Sequence, residues 1–256
     1  MNLFMSKTKS QKNADQSSIL SIDNLRVKLF ADGADKTGMI EMAAKPFIKG
    51  LTTNPTLMRK AGITDYRSFA LDVLKDIPNK PISFEVFSDD FAEMERQAIQ
   101  ISSWGKNVYV KIPITNTQHQ SACDLVRKLS KFGIKLNVTA LMTLEQVREV
   151  AASLEPTVPS YISVFAGRIA DTGKDPVPMM REAVQLIGNC TKTELIWASP
   201  RELLNVFHAD SVGCHIITAT NDILKKLDLI GKDLDEYSLD TVKMFYKDAK
   251  AAGFSI

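Results

Sequence analysis

The sequence predicts an α/β chain closed into a single (β/α)8 barrel, a TIM barrel, on three observations. Short apolar runs alternate with longer amphipathic stretches from Leu25 onward. Eight such runs occur, with no shift in composition that would open a second domain. The turn after the first run, FADGADKTG, lacks the GxGxxG spacing that an open doubly wound sheet would carry there. At 256 residues the chain is also the size of one such barrel, which takes about 250.

In chain order, the strand-like runs are 27–32 (VKLFAD), 47–53 (FIKGLTT), 81–87 (PISFEVF) and 108–114 (VYVKIPI). They continue with 135–141 (KLNVTAL), 161–167 (YISVFAG), 194–199 (ELIWAS) and 214–220 (CHIITAT). Several are rich in Val, Ile, Phe and Tyr, which fit a pleated surface. Helical periodicity marks 65–77, 89–104, 120–133, 143–155 and 176–188. Gly133 reads as the cap glycine of its helix, and Pro156 and Pro159 as the stop of the 143–155 helix. Residues 238–253 predict a last amphipathic helix, lying across the barrel or against a partner. Residues 1–22 read as a polar tail without the apolar core of a secretory signal, and 23–256 as the barrel.

Composition narrows the function classes. Lys+Arg 32 against Asp+Glu 30 gives a net charge of +2, without the basic excess of a dedicated nucleic-acid binder. No stretch approaches the roughly 18 apolar residues that cross a bilayer. Cys123, Cys190 and Cys214 form no CxxC pair, which points to a reducing compartment and a cytoplasmic protein. His119, His208 and His215 show no ligand spacing. The expectation is an enzyme without metal or cofactor, and without nucleic-acid or membrane partners.

Barrel strands point alternate side chains inward and toward the helices. In VYVKIPI, Val108, Val110 and Ile112 share the outward parity, so Lys111 points in. The same count turns Glu85 inward beside Ile82, Phe84 and Val86. It places Asn137 and Thr139 inward, with Leu136, Val138 and Ala140 outward, and turns Ser163 and Phe165 inward. Any one of these could be a strand-end polar group meeting solvent. A lysine and a glutamate each flanked by apolar neighbours weaken that alternative, because an unpaired buried charge costs several kcal/mol. Desolvation favours the neutral amine, which attacks carbonyls and yields a Schiff base able to sink electrons from a breaking carbon–carbon bond. Asp32, ending the first strand, is the candidate base for a substrate hydroxyl, and Glu85 with Thr139 a pair to hold a water.

LFADGAD (29–35), GLTTNPTLM (50–58), FEVFSDD (84–90), VYVKIPIT (108–115), NVTALMTLEQ (137–146), ISVFAGRIADTG (162–173) and WASPRE (197–202) together resemble the transaldolase family. The resemblance runs from about Leu25 to the end. It implies a class I aldolase-type barrel with Lys111 as the Schiff-base lysine on the fourth strand. It further implies Asp32 as acid/base, Glu85 and Thr139 as the water-positioning pair, and Asn54 and Asn137 at the dihydroxyacetone unit. Ser163 would lie near its hydroxyl, and Arg168, Ser199 and Arg201 would bind the substrate phosphate, a task suited to the planar guanidinium fork.

The family holds transaldolases and fructose-6-phosphate aldolases. The lyases generally carry glutamine where Glu85 stands and tyrosine where Phe165 stands, so the resemblance favours the transferase. The expected partners are sugar phosphates and further copies of the chain, as a homo-oligomer. Release of dihydroxyacetone by a lyase is the second reading, and a non-catalytic sugar-phosphate binder the third. Pro200, Val164 and Gly33 depart from the residues more usual in the family at those places.

Overall fold

The structure is a computed structural model describing residues 22–188 and 192–256. Cys190 and the expected polar tail up to residue 21 lie outside the described residues. Two compact units are present: Leu25–Lys225, and Lys226–Ile256 together with Ile22–Asn24.

The first unit is a closed, all-parallel barrel in sequential order. Its strands are β1 (Lys28–Asp32), β2 (Ile48–Thr52), β3 (Ile82–Glu85), β4 (Val108–Pro113), β5 (Leu136–Leu141), β6 (Ser160–Val164), β7 (Thr193–Trp197) and β8 (Ile216–Thr220). All eight expected runs are strands. Between them run α1 (Lys36–Ala44), α2 (Pro55–Lys60), α3 (Tyr66–Asp76), α4 (Phe91–Ser102) and α5 (Cys123–Lys131). These are followed by α6 (Leu144–Ala151), α7 (Ala166–Asp171), α8 (Pro176–Ile187), α9 (Leu204–Ser211) and α10 (Asn221–Leu224). The second unit carries α11 (Leu234–Ala251), four residues earlier at its start than the periodicity suggests, because Asp233 caps it by accepting from the N–H groups of Asp235 and Glu236. No residue of α11 is buried. No described helix is long and apolar enough to cross a membrane.

Local chemistry explains where the helices begin. Asp35, Asp65, Asp90 and Thr143 each accept a backbone N–H in the first turn of the helix that follows. Such caps contribute about 1 kcal/mol apiece. Gly133, at φ +78°, ends α5 as expected: its N–H bonds the Ser130 carbonyl while Ile134 N–H reaches Leu129.

Three expectations are corrected. The sixth run is strand only to Val164; Ala166 and Gly167 already belong to α7. Helix α6 stops at Ala151, before either proline, since the Ser153 hydroxyl bonds the Glu149 carbonyl and Glu155 N–H goes to Ser130 Oγ on α5. Ala140 does not continue the alternation of β5: it sits at φ +66° in a register shift, after which Leu141 pairs with Val164.

The outward residues Ile82, Phe84, Val110, Ile112, Leu136 and Val138 are fully buried under the helical layer. Inside, one layer below the strand ends, Phe30, Tyr109, Tyr161, Ile196 and Ile216 form an apolar floor. Tyr109 and Tyr161 stack at 4.1 Å, and Phe30 meets Tyr161 edge-on at 5.8 Å. Gly50 makes room for this floor, because a Cβ there would lie 2.5 Å from Phe30 Cζ.

Candidate active site

Two residues further along β1, β4 and β6, the same inward parity changes from the aromatic Phe30, Tyr109 and Tyr161 to the polar Asp32, Lys111 and Ser163. Glu85 and Lys111 are register partners on β3 and β4, and Lys111 in turn pairs with Asn137 on β5. Lys111 is buried, with Nζ 3.1 Å from Glu85 Oε2 and donating to the Thr53 carbonyl at 3.1 Å. Asn137 Nδ2 donates to Ser83 Oγ at 2.9 Å, and Ser163 Oγ donates to Asn137 Oδ1 at 2.7 Å. These contacts bring Lys111, Glu85, Asn137 and Ser163 into one layer. Thr139 lies one residue before the β5 bulge; its Oγ1 is buried and makes no hydrogen bond within the protein. An unmet buried hydroxyl is costly unless a ligand or water supplies its partner. That property fits the water-holding role expected of it.

Asp32 ends β1 on the same side, where Thr52 Oγ1 donates to its Oδ1 at 2.7 Å. Loss of solvent raises the Asp32 carboxyl above its usual pKa; the positive charge of Lys111 and the Thr52 hydrogen bond pull the other way and only partly offset it. A carboxyl so raised holds a proton more tightly folded than unfolded. Its contribution to stability is present below the unfolded value, 3.8, and is lost as pH rises through the folded one. Asp32→Asn should therefore raise Tm at pH 7 while abolishing turnover. The gain should shrink as pH falls through the raised folded value toward 3.8, and be gone below it. Thermal melts of both proteins across that range check it; a lower Tm for the variant at pH 7 would contradict the assignment.

The backbone leaving β3 is clamped from outside the barrel. Tyr66 Oη donates to the Glu85 carbonyl at 2.8 Å, and Gln97 Oε1 accepts from Phe87 and Ser88 N–H. These bonds fix the segment that aims Glu85. Asn54, in the TTNP tag, caps α2: its Oδ1 accepts from Leu57 N–H, and among the described residues its Nδ2 amide donates no hydrogen bond.

Arg168, Ser199 and Arg201 gather where β6 and β7 end. Arg168 stacks over the ring of Phe165, its Cζ 5.3 Å from the centroid, and Phe165 packs on the interior apolar cluster. Arg201 forks onto Asp171, with Nε 2.9 Å from Oδ1 and a second bond from a terminal nitrogen to Oδ2. That pairing holds the Asp171 carboxyl below its usual pKa. It also shows the guanidinium set to meet two anionic oxygens at once. Ser199 takes φ +58°, and its carbonyl lies against Gly167, where a Cβ would approach it to 1.6 Å.

Sequence reasoning missed Thr52, Thr218 and Ser83. All three bond within the polar layer: Thr52 Oγ1 is 2.6 Å from Thr218 Oγ1, and Ser83 holds Asn137. Their signal was the same parity, with Thr218 between the outward Ile217 and Ala219. Among the described residues, no group of three His, Cys, Asp or Glu side chains is placed to hold a metal ion.

The family described as transaldolase/fructose-6-phosphate aldolase matches residues 29–256. A probable transaldolase of Thermoanaerobacter sp. (strain X514) is 34% identical over 90% of this chain and all of its own length. One from Dehalococcoides mccartyi is 31% identical over 78% of this chain and 90% of its own. Among solved structures, 3-keto-L-gulonate-6-phosphate decarboxylase from Vibrio cholerae superposes with TM-score 0.52 at 11% identity, covering 80% of this chain and 98% of that one. A 2,3-dimethylmalate lyase does so with TM-score 0.51 at 14% identity, covering 91% and 86%. At such identities these two establish the barrel alone. With a family match that runs from within β1 to the last residue, the chain belongs to the transaldolase/fructose-6-phosphate aldolase family.

Proposed function

We propose that this enzyme is a transaldolase, transferring a dihydroxyacetone unit from a ketose phosphate such as sedoheptulose 7-phosphate or fructose 6-phosphate to an aldose phosphate. The observation that carries the reading is Lys111, enclosed at 3.1 Å from Glu85 with Asp32 facing the same space. Its ammonium gives up a proton, for which Glu85 is the adjacent base, and the amine attacks the ketose carbonyl. Expulsion of hydroxide from the carbinolamine, as water, uses a proton returned through Glu85 and a water bound by Thr139. Asp32 then takes the proton of the hydroxyl on the far side of the scissile bond. The C3–C4 bond breaks, its electron pair enters the iminium, and an aldehyde leaves behind an enamine. An acceptor aldehyde adds to that enamine, Asp32 returns its proton to the new hydroxyl, and hydrolysis frees Lys111. Phe165 supports transfer over release, since an apolar ring offers no hydroxyl to hold the water that would discharge the enamine.

Asn54, Asn137 and Ser163 orient the dihydroxyacetone unit in this reading, and Arg168, Ser199 and Arg201 hold the phosphate. A cytoplasmic location and assembly into a homo-oligomer belong to the same proposal. The exposed Leu234, Val242, Phe245 and Tyr246 of α11 supply apolar surface for self-association.

Borohydride trapping with fructose 6-phosphate, read by peptide mass spectrometry, tests the chemistry. A dihydroxyacetone-sized adduct on Lys111 is expected, and it should diminish when an aldose phosphate is added before the reductant. Free dihydroxyacetone accumulating without acceptor would make the enzyme a lyase, and no adduct would remove the mechanism. Arg201→Ala should raise KM for phosphorylated donors about tenfold or more, with little change for unphosphorylated ones, as expected on losing a charge-assisted contact made equally in ground and transition states. Equal losses for both substrates would take Arg201 out of phosphate binding.

A further inference from the structure

Thr218 has no part in the scheme above, yet it is buried inside the barrel within hydrogen-bond distance of Thr52. A hydroxyl has one proton to give. Thr52 gives its proton to Asp32 Oδ1, so the 2.6 Å bond between the threonines must be donated by Thr218. The two hydroxyls thus form a directed chain from β8 through β2 to the carboxyl on β1. Strand β1 pairs with both of its neighbours, Asp32 standing in register with Thr52 on one side and Thr220 on the other. The charge acting on Asp32 is Lys111 from β4, itself ion-paired to Glu85 of β3, while β2 and β8 face it with the hydroxyls. Among the described residues no protein hydrogen bond is made to Asp32 Oδ2, which leaves that oxygen for the substrate proton.

We propose that Thr218 is a positioning residue for the acid/base step: it locks the Thr52 hydroxyl in the orientation that donates to Asp32, and so sets how readily Asp32 takes and returns a proton. The inference rests on the transaldolase reading for its place in the reaction, but its physical basis does not. A donor bond into Thr52 polarises that hydroxyl and strengthens its bond to an ionised carboxylate. It also holds Thr52 in one rotamer, since turning away would leave two buried hydroxyls unmatched. Without Thr218 the ionised form of Asp32 loses part of its support, and the proton is returned from a less ordered carboxyl.

The test uses Thr218→Val, which keeps the shape and removes the donor, Thr218→Ser, which keeps the donor, Thr52→Val, and the double valine variant. In the pH profile of kcat/KM for donor cleavage, Thr218→Val should move the acid limb to higher pH and lower kcat roughly threefold to tenfold, within the range of an acid/base contribution. Thr218→Ser should restore both. In the Thr52→Val background, Thr218→Val should have no further effect on the limb, because its influence passes through Thr52. An unmoved limb in Thr218→Val, or the same shift with Thr52 absent, would overturn the proposal. Carbon-13 NMR titration of the Asp32 carboxyl in the free protein gives a reading independent of substrate: an upward shift in Thr218→Val and none in Thr218→Ser. If wild-type protein traps no adduct on Lys111, the transaldolase reading fails by itself. The NMR titration still decides the role of Thr218.

Discussion

Lys111→Met should abolish turnover, with no adduct trapped by borohydride, while the barrel still folds. Methionine fills nearly the same space, so the loss isolates the nucleophile and leaves packing intact. It does not leave stability unchanged. Removing the ammonium strands the Glu85 carboxylate, whose side chain is only 13% exposed, beside a residue that can no longer pair with it. Breaking one side of a buried ion pair costs about 3 kcal/mol. Adding Glu85→Gln should recover much of that loss without recovering any activity. Chemical denaturation of the three proteins, set beside trapping and steady-state rates, separates the two effects. Residual turnover near the wild-type rate in Lys111→Met would sink the Schiff-base mechanism outright.

Gly167→Ala should raise KM for phosphorylated donors and lower stability by about 1–3 kcal/mol, the usual range for overpacking. The added Cβ would stand 1.6 Å from the Ser199 carbonyl oxygen. The obstructing atom is backbone, so no rotamer change relieves the contact. Either α7 or the segment after β7 must move by more than an ångström, and Arg168 and Arg201 ride on those two elements. The placement of Arg201, forked on Asp171, relative to Arg168 would then change. Gly33→Ala is the matched control for stability, because nothing lies within 4 Å of a Cβ built there and its φ is not positive. Kinetics with phosphorylated and unphosphorylated donors, together with melts of both variants, check the expectation. A Gly167→Ala protein with unchanged KM and Tm would mean that this contact is slack.

What could be read before the structure follows from how local each signal is. The eight strands were legible because alternation in a parallel barrel is imposed by the pleat, residue by residue. The inward direction of Lys111 and Glu85 followed from the same count, with no knowledge of their partners. The bulge at Ala140 was not legible, since it depends on how β5 meets β6 and breaks the parity only after Val138. Threonine prefers strands whatever its role, so Thr52 and Thr218 looked like ordinary β residues until their 2.6 Å contact set them apart. The bond from Arg201 to Asp171 joins residues 30 apart in sequence and left no local trace. Asn54 had a second readable role, because an Asn followed by Pro is a helix-start pair.

The aromatic floor has a consequence for proton traffic. Tyr109, Tyr161 and Phe30 close the barrel below the layer that holds Lys111, Glu85 and Asp32, and the two stacked rings lie nearly parallel, 11° apart. Burial also raises the Tyr161 hydroxyl well above the usual phenol range and pushes that of Tyr109 up too, so neither gives up a proton near neutrality. Among the described residues this floor shuts the lower end of the chamber, which leaves the strand ends as its opening. In the proposed reaction, the protons exchanged with bulk water would pass the strand ends, the same way as the sugar. On that proposal a bound substrate is its own stopper, and the protons moved between Glu85, Asp32 and the ligand stay a closed set until the product departs.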